Sequence, residues 1–280
     1  MGIKLKHLIS EKFELDLEIG DTILRGKFKN KPVVVKNFGV DDKGQPTING
    51  KKMLSFRIKK LIPKKKSIKL KEIKEVDSLV FSNEIKQKHQ KSIDSFSNGS
   101  TGLFTNFDIT QFKSNPPPRN SGSKTIAELQ ELETVISTID INKADDIEKY
   151  FKDFLESIGV KYPKEEVKTL LDDSRAVIYT LKYYYNRPRP EQVANALGLK
   201  FHVKPLETAN TPSYPSGHSA QGRLVGNFLS SIYPQHSDEI MKISNEVSNA
   251  RLFAKVHFPS DTTFGIRLGD ALYNHTKKIS

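Results

Sequence analysis

Cysteine is absent from the 280 residues of this chain. That excludes a disulfide framework, a thiolate metal site and a cysteine nucleophile, so redox chemistry does not fix its compartment. Long apolar runs are missing as well. The longest stretches, such as Ala176 to Leu181, fall far short of the roughly 20 residues a bilayer span needs. The opening segment, Met1-Gly2-Ile3-Lys4-Leu5-Lys6-His7-Leu8-Ile9-Ser10-Glu11, has no continuous apolar core of the kind a secretory signal carries. The expectation is a protein that is cytoplasmic rather than secreted, with no membrane partner.

Acidic residues are scarce in the first part. Residues 1–120 hold 25 Lys and Arg against 13 Asp and Glu, whereas residues 121–280 hold 20 of each. All of the net charge of +12 therefore lies in the first part. Either that part meets an electrostatic partner, such as nucleic acid or an acidic protein surface, or its lysines keep a small β unit soluble.

The organisation follows the same division. Phe13, Leu15, Leu17 and Ile19 alternate with Glu14, Asp16 and Glu18, the period of a strand. Further strands are predicted in Asp21–Phe28, Pro32–Val40 and Lys52–Ile58, and Asn49-Gly50 is a hairpin-turn signal. Residues 1–63 thus read as a small, basic, barrel-like β domain. Residues 64–113 read as a basic linker, partly helical or disordered: 69–91 could form a polar helix, and Ser92–Gly102 is rich in Ser, Asn and Gly. Pro116-Pro117-Pro118 makes a stiff entry into a domain over 114–280. There the apolar period becomes 3.6 residues, as in Ile126, Leu129, Leu132, Ile136 and Ile139. Six helices are predicted, starting near Ser123, Ile147, Glu165, Ser216, His236 and Asp261. The fold class is mainly α, a compact helical bundle.

Three segments of that domain carry chemistry: Lys182-x6-Arg189-Pro190, Pro215-Ser216-Gly217-His218, and Ala250-Arg251-x5-His257-x3-Asp261. Lys182 and Arg189 are seven apart at the end of a helix, so two turns place them on one face. Arg251 adds a third cation, and an arginine fork matches tetrahedral oxyanions. Ser216, Gly217 and His218 precede a helical pattern, where free N–H groups attract an anion and Gly217 permits close approach. Asp261 bonded to one nitrogen of His257 would leave the other nucleophilic, with His218 free to act as general acid. Such a cluster requires no metal, because positioning and electrostatics dominate phosphoryl transfer. Taken singly, each residue has an ordinary explanation as a solvated cation, a structural histidine or a helix cap. Their joint order and spacing make coincidence a poor account.

These segments resemble the signature of the type 2 phosphatidic acid phosphatase and vanadium haloperoxidase superfamily: K-x6-R-P, P-S-G-H, then S-R-x5-H-x3-D. Ala250 stands where Ser is usual. The resemblance covers about 114–276, and the Pro116–Ser123 entry is similar to that of soluble class A bacterial acid phosphatases. It implies that His257 attacks phosphorus to form a phosphohistidine, Asp261 orients it and His218 protonates the leaving group. Lys182, Arg189, Ser216, Gly217 and Arg251 would hold the phosphoryl oxygens, with no metal or cofactor. The implied activity is a phosphomonoesterase of the acid phosphatase type acting on a soluble phosphate ester.

Two other functions follow from the same residues. A haloperoxidase would hold vanadate as cofactor in this pocket. Those enzymes commonly carry Phe or His five residues before the Ser of P-S-G-H, and here that residue is Thr211. Alternatively, Gly20–Phe28 and Pro46–Gly50 resemble a small tailed-phage module, and Ile9-Ser10-Glu11 resembles a capsid-targeting leader cut after Glu11. That resemblance implies an internal particle protein whose basic residues 1–120 bind nucleic acid.

Overall fold

Turn residues divide the N-terminal region into short strands. Strand β1 (Thr22–Arg25) pairs antiparallel with β2 (Lys31–Val34), while β3 (Phe38–Val40), β4 (Pro46–Ile48) and β5 (Lys51–Lys52) form a second antiparallel sheet in that order. Asn49 and Gly50, at φ 51° and 68°, close the β4–β5 turn as their tolerance of positive φ predicts. The Asn49 side chain also accepts from the Lys36 and Asn37 N–H groups at 2.7 and 3.1 Å. Ile23, Val35 and Ile48 are buried.

The computed structural model describes residues 22–25, 31–52 and 75–279. Among these, the strands make a two-stranded and a three-stranded sheet, not the expected barrel. The strands expected at 13–19 and 53–58, and the leader 1–11, lie outside the described residues. The chain divides into two compact units, Met1–Lys69 and Leu70–Ser280.

The second unit is helical. Ten helices are bounded within its described residues, more than the six expected. They are α1 (Gln87–Ser97), α2 (Thr110–Lys113), α3 (Ser123–Thr134), α4 (Ile141–Asp145), α5 (Ile147–Ser157), α6 (Lys164–Tyr185), α7 (Pro190–Ala196), α8 (Gly217–Ile232), α9 (Ser237–Phe253) and α10 (Pro259–Ile279). The extra four escape the sequence reading because α2, α4 and α7 are too short to display a 3.6-residue period, and α1 is mostly polar.

Residues expected as linker take part in this unit. His89 on α1 is buried, with its Nδ1 2.7 Å from the Tyr183 hydroxyl and its ring 4.5 Å from that of Tyr179. Phe104, Phe107 and Phe112 enter a core with Leu181, Tyr214, Leu224 and Phe264. Their spacing follows irregular turns rather than a helix face. Helix α8 gives Ala220 and Leu224 to that core and Val225 and Leu229 to a second one, with Phe151, Leu155, Val167 and Val247. Burial on both faces makes α8 the axis of the bundle.

Close approach to α8 depends on glycine in its neighbour. A Cβ on Gly265 of α10 would lie 2.5 Å from the Ser216 carbonyl oxygen, closer than packing allows. This contact holds the N-terminus of α8 against α10, where the site is assembled.

Candidate active site

Helix α6 carries Lys182 in its last turn and ends when Asn186 turns left-handed at φ 47°, its N–H bonding the Lys182 carbonyl at 2.8 Å. Arg189 therefore does not continue that helix. It is the extended residue ahead of α7, with Pro190 at the first helical position. Lys182 and Arg189 still converge, but through a chain reversal rather than a shared helix face. Lys182 donates its Nζ to the Pro212 carbonyl at 2.5 Å. Arg189 donates Nε to the Thr211 carbonyl at 2.8 Å and Nη1 to the Val256 carbonyl at 2.7 Å. Both cations are buried, and among the described residues neither is paired with a carboxylate.

His257 lies in the connection between α9 and α10, and Asp261 in the first turn of α10. Its Nδ1 is 3.3 Å from Asp261 Oδ2, and its Nε2 is 2.9 Å from Arg189 Nη1. An arginine can only donate and a carboxylate only accept, so Nδ1 carries the proton and Nε2 is the bare nitrogen. Asp261 is fully buried and also accepts from the Phe258 N–H at 2.9 Å, from Arg187 Nη1 at 2.5 Å and from the Ser213 hydroxyl.

The anion-binding turn before α8 is assembled differently from the expectation. Gly217 and His218 line a cavity of about 700 Å³ together with Lys182, Arg189, Thr211 and His257. Ser216 is fully buried and does not line it. Its hydroxyl caps α8, accepting from Ser219 N–H at 3.3 Å and Ser219 Oγ at 2.8 Å, while its own N–H bonds the Asp261 carbonyl at 3.0 Å. Ser216 thus fixes the turn, with its hydroxyl oxygen as acceptor.

Arg251, in the last turn of α9, is fully buried and does not line this cavity. Its Nη1 pairs with Asp145 Oδ1 and its Nη2 donates to Thr208 Oγ1 at 3.1 Å, while its Nε has no partner among the described residues. Asp145 also faces His218, whose Nε2 is 3.3 Å from Oδ1 and 3.1 Å from the Asp145 carbonyl oxygen. Sequence spacing missed Asp145, Thr208 and Ser213, because each lies in a loop or at the end of a short helix without periodic pattern. Ala250 replaces the usual Ser of the signature in an apolar cluster with Ile141, Ala144 and Ala254, where no hydroxyl partner is needed.

The electrostatics are those of a crowded cationic pocket. Burial and then the Arg189 charge push the Lys182 ammonium well below its usual range. Burial and then Arg251 push Arg189 down to about 9. Burial and then Arg251 push His218 down to about 4, although Asp145 opposes them. Burial and then Arg189 hold His257 well below its ordinary value. Burial alone would raise the Asp261 carboxyl, but the Arg187 charge and the His257 and Ser213 hydrogen bonds lower it. The part of the pocket formed by Lys182, Arg189 and His257 is thus cationic, with a neutral imidazole at its wall, while Asp145, Asp146, Glu148 and Glu207 line other parts of the cavity. Among the described residues, no group of three or more His, Asp or Glu converges as metal ligands, and no helix is long and apolar enough to cross a membrane.

Comparison with known proteins finds relatives in sequence and in structure. A non-specific acid phosphatase of Salmonella typhimurium is 32% identical over 88 residues, which cover 31% of this chain and 35% of that protein. The match therefore spans about a third of the relative's length. Among solved structures, a bacterial vanadium-dependent iodoperoxidase aligns at a TM-score of 0.45 and 16% identity, covering 64% of this chain and 56% of that one. A transmembrane PAP2-type phosphatidylglycerolphosphate phosphatase from Bacillus subtilis aligns at 0.38 and 16% identity, covering 69% and 96%. Nothing in these matches supports the tailed-phage resemblance of residues 1–60. Residues 173–279, which contain all eight of the residues expected to form the site, match the profile of the PAP2 superfamily. The chain carries a PAP2-superfamily domain.

Proposed function

We propose that this pocket is a phosphomonoesterase site of the acid phosphatase type, acting without a metal through a phosphohistidine. One observation carries the reading: two buried cations, Lys182 and Arg189, make no salt bridge to a carboxylate among the described residues, and a bare imidazole nitrogen lies beside Arg189. A buried charge without a counter-ion is costly, and a phosphoryl group supplies the missing anion.

In the proposed reaction the phosphoryl oxygens take hydrogen bonds from Lys182, Arg189 and the Gly217 N–H at the α8 N-terminus. Arg251 contributes its charge without lining the cavity, and Ser216 holds the turn. Arg189 passes its Nη1–H from His257 Nε2 to a phosphoryl oxygen, freeing the lone pair. The phosphoryl anion, on entering beside His218, favours the protonated ring; an N–P bond then forms as the P–O bond to the leaving group breaks, and the protonated His218 gives that oxygen its proton. Asp261 balances the charge that develops on the His257 ring. His218 then takes a proton from water, the oxygen attacks phosphorus and the N–P bond breaks, so inorganic phosphate leaves and both histidines return to their starting states.

The substrate is a soluble phosphate ester, for which the cavity of about 700 Å³ has room. The vanadate-dependent haloperoxidase and the nucleic-acid-binding particle protein have no observation of their own in the described residues. Thr211, at the position that distinguishes haloperoxidases in the sequence, serves Arg189 with its carbonyl at 2.8 Å.

The test is release of inorganic phosphate from an aryl phosphate with a chelator present. Wild-type protein is expected to turn over and to be inhibited by vanadate. The variant His257→Ala is expected to lose activity by about 10³-fold or more, on the scale of nucleophile removal elsewhere. Full activity in that variant refutes the phosphohistidine.

A further inference from the structure

Arg187 stands two residues before Arg189, and its side chain turns away from the cavity. It is only 2% exposed and is not among the cavity-lining residues. Its Nη1 donates to Asp261 Oδ1 at 2.5 Å and to Ser260 Oγ at 2.8 Å. Its Nη2 approaches Thr125 Oγ1 and Glu128 Oε2, each at 3.4 Å. The guanidinium lies 3.9 Å from the centroid of the Phe258 ring. Glu128, on α3, is itself buried and accepts from the Ser260 N–H at 2.9 Å and the Ser260 hydroxyl at 3.0 Å. A line of alternating charge thus runs from Asp261 through Arg187 to Glu128, with the His257 ring at the Asp261 end.

The end nearest the reaction explains the need for it. Asp261 is fully buried, and a buried carboxylate without a cation takes up a proton rather than stay charged. A protonated Asp261 could not balance the positive ring of a phosphorylated His257, and its hydrogen-bond preference for Nδ1–H would be lost. Of the donors to Asp261 among the described residues, Arg187 is the only full cation; the His257 ring would become one only on phosphorylation. Its second edge, its aromatic face and the Glu128 carboxylate leave it little freedom to turn elsewhere.

We propose that Arg187 is a positioning residue for the nucleophile: through Asp261 it fixes the orientation and tautomer of His257, and Glu128 of α3 holds Arg187 in place. This inference rests on the reading of His257 as the nucleophile. Arg187 touches neither the phosphoryl group nor the reacting nitrogen.

Kinetics on the full chain test it, with thermal unfolding to count folded protein. Arg187→Ala is expected to lower kcat by about 100-fold while KM stays within about threefold, because the cations that bind phosphate are untouched. Millimolar guanidinium should restore at least about tenfold of that loss, whereas methylammonium should not, since only the planar fork spans Asp261 and Ser260. The Arg187→Ala/Asp261→Asn double variant should be no slower than Asp261→Asn alone, as residues acting through one another are not additive. If Arg187→Ala does not fold, Glu128→Gln is the second probe, expected to slow kcat by about threefold to tenfold, an effect absent in the Asp261→Asn background. Additive losses, no guanidinium rescue, or a fall in stability with unchanged kcat per folded molecule overturns the role of Arg187. Full activity in His257→Ala overturns the underlying reading instead, so the two failures are distinguishable.

Discussion

Lys182 illustrates how a single residue trades stability against chemistry. Its ammonium is buried against the Pro212 carbonyl with no carboxylate in salt-bridge range among the described residues, and the Arg189 charge outweighs that of Asp261. Replacing a buried, unpaired charge with an apolar side chain of similar length removes a desolvation cost. Lys182→Met is therefore expected to raise stability by about 1–3 kcal/mol in thermal or denaturant unfolding, while kcat/KM falls by about 100-fold or more. Lower stability in that variant would mean that the ammonium is already compensated. Vanadate should stabilise the wild-type protein, by about 2.7 kcal/mol at a hundred times its Kd, and Lys182→Met far less at the same concentration. Arg251 is the contrasting case: Asp145 and Thr208 occupy both ends of its fork, so its charge is already partly met within the fold.

Elements place these residues, and helix α8 is the decisive one. Its N-terminus presents Gly217 and His218 to the cavity, and its position depends on the close approach of α10 at Gly265. Gly265→Ala would drive a methyl group to 2.5 Å from the Ser216 carbonyl oxygen. Backbone cannot yield there as a flexible side chain would, so a destabilisation of about 1–3 kcal/mol is expected. Because Ser216 N–H also bonds the Asp261 carbonyl, the same displacement should lower phosphatase activity per folded molecule. A variant with normal melting and full activity would show that α8 and α10 can separate without cost. The helical pattern announced α3, α5, α6, α8, α9 and α10 because long amphipathic segments repeat their apolar residues. It did not announce α4, whose five residues carry Asp145 to Arg251 and His218. A single turn has no period to read.

At the scale of the whole molecule, the buried histidine makes stability depend on pH. His218 is pushed from an ordinary 6.5 to about 4 in the folded protein. Between those values the unfolded chain binds a proton that the folded chain does not, so acidification favours unfolding. Stability is expected to be lost as pH falls from 6.5 to 4, by up to about 3 kcal/mol from this group. Asp145 and Asp261, whose carboxyls are held below their ordinary values, extend the loss below pH 4. Melting temperature measured from pH 7 to 3 checks this, and inorganic phosphate should oppose the loss by supplying an anion next to the protonated ring. A melting temperature that is flat across pH 6.5 to 4 would mean that His218 is solvated. Burial and the Arg189 charge hold His257 well below its ordinary value too, so it adds to the loss in the same direction.

Much of the candidate site was written in the chain order. Lys182, Arg189, Gly217, His218 and His257 could be named from residue type and spacing, since a tetrahedral anion, a nucleophile and a proton donor each demand particular side chains. Six long helices were legible for a similar reason: burying one face imposes a period. Tertiary structure alone decided how the cations meet, because α6 ends at Tyr185 and the chain reversal, not a helix face, brings Arg189 to Lys182. It likewise decided that the Ser216 hydroxyl caps a helix, that Arg251 pairs with Asp145, and that Arg187 turns back to Asp261. Those outcomes depend on which groups lie within a few ångströms after folding. Partners such as Arg251 and Asp145, 106 residues apart, have no spacing that a linear reading can detect.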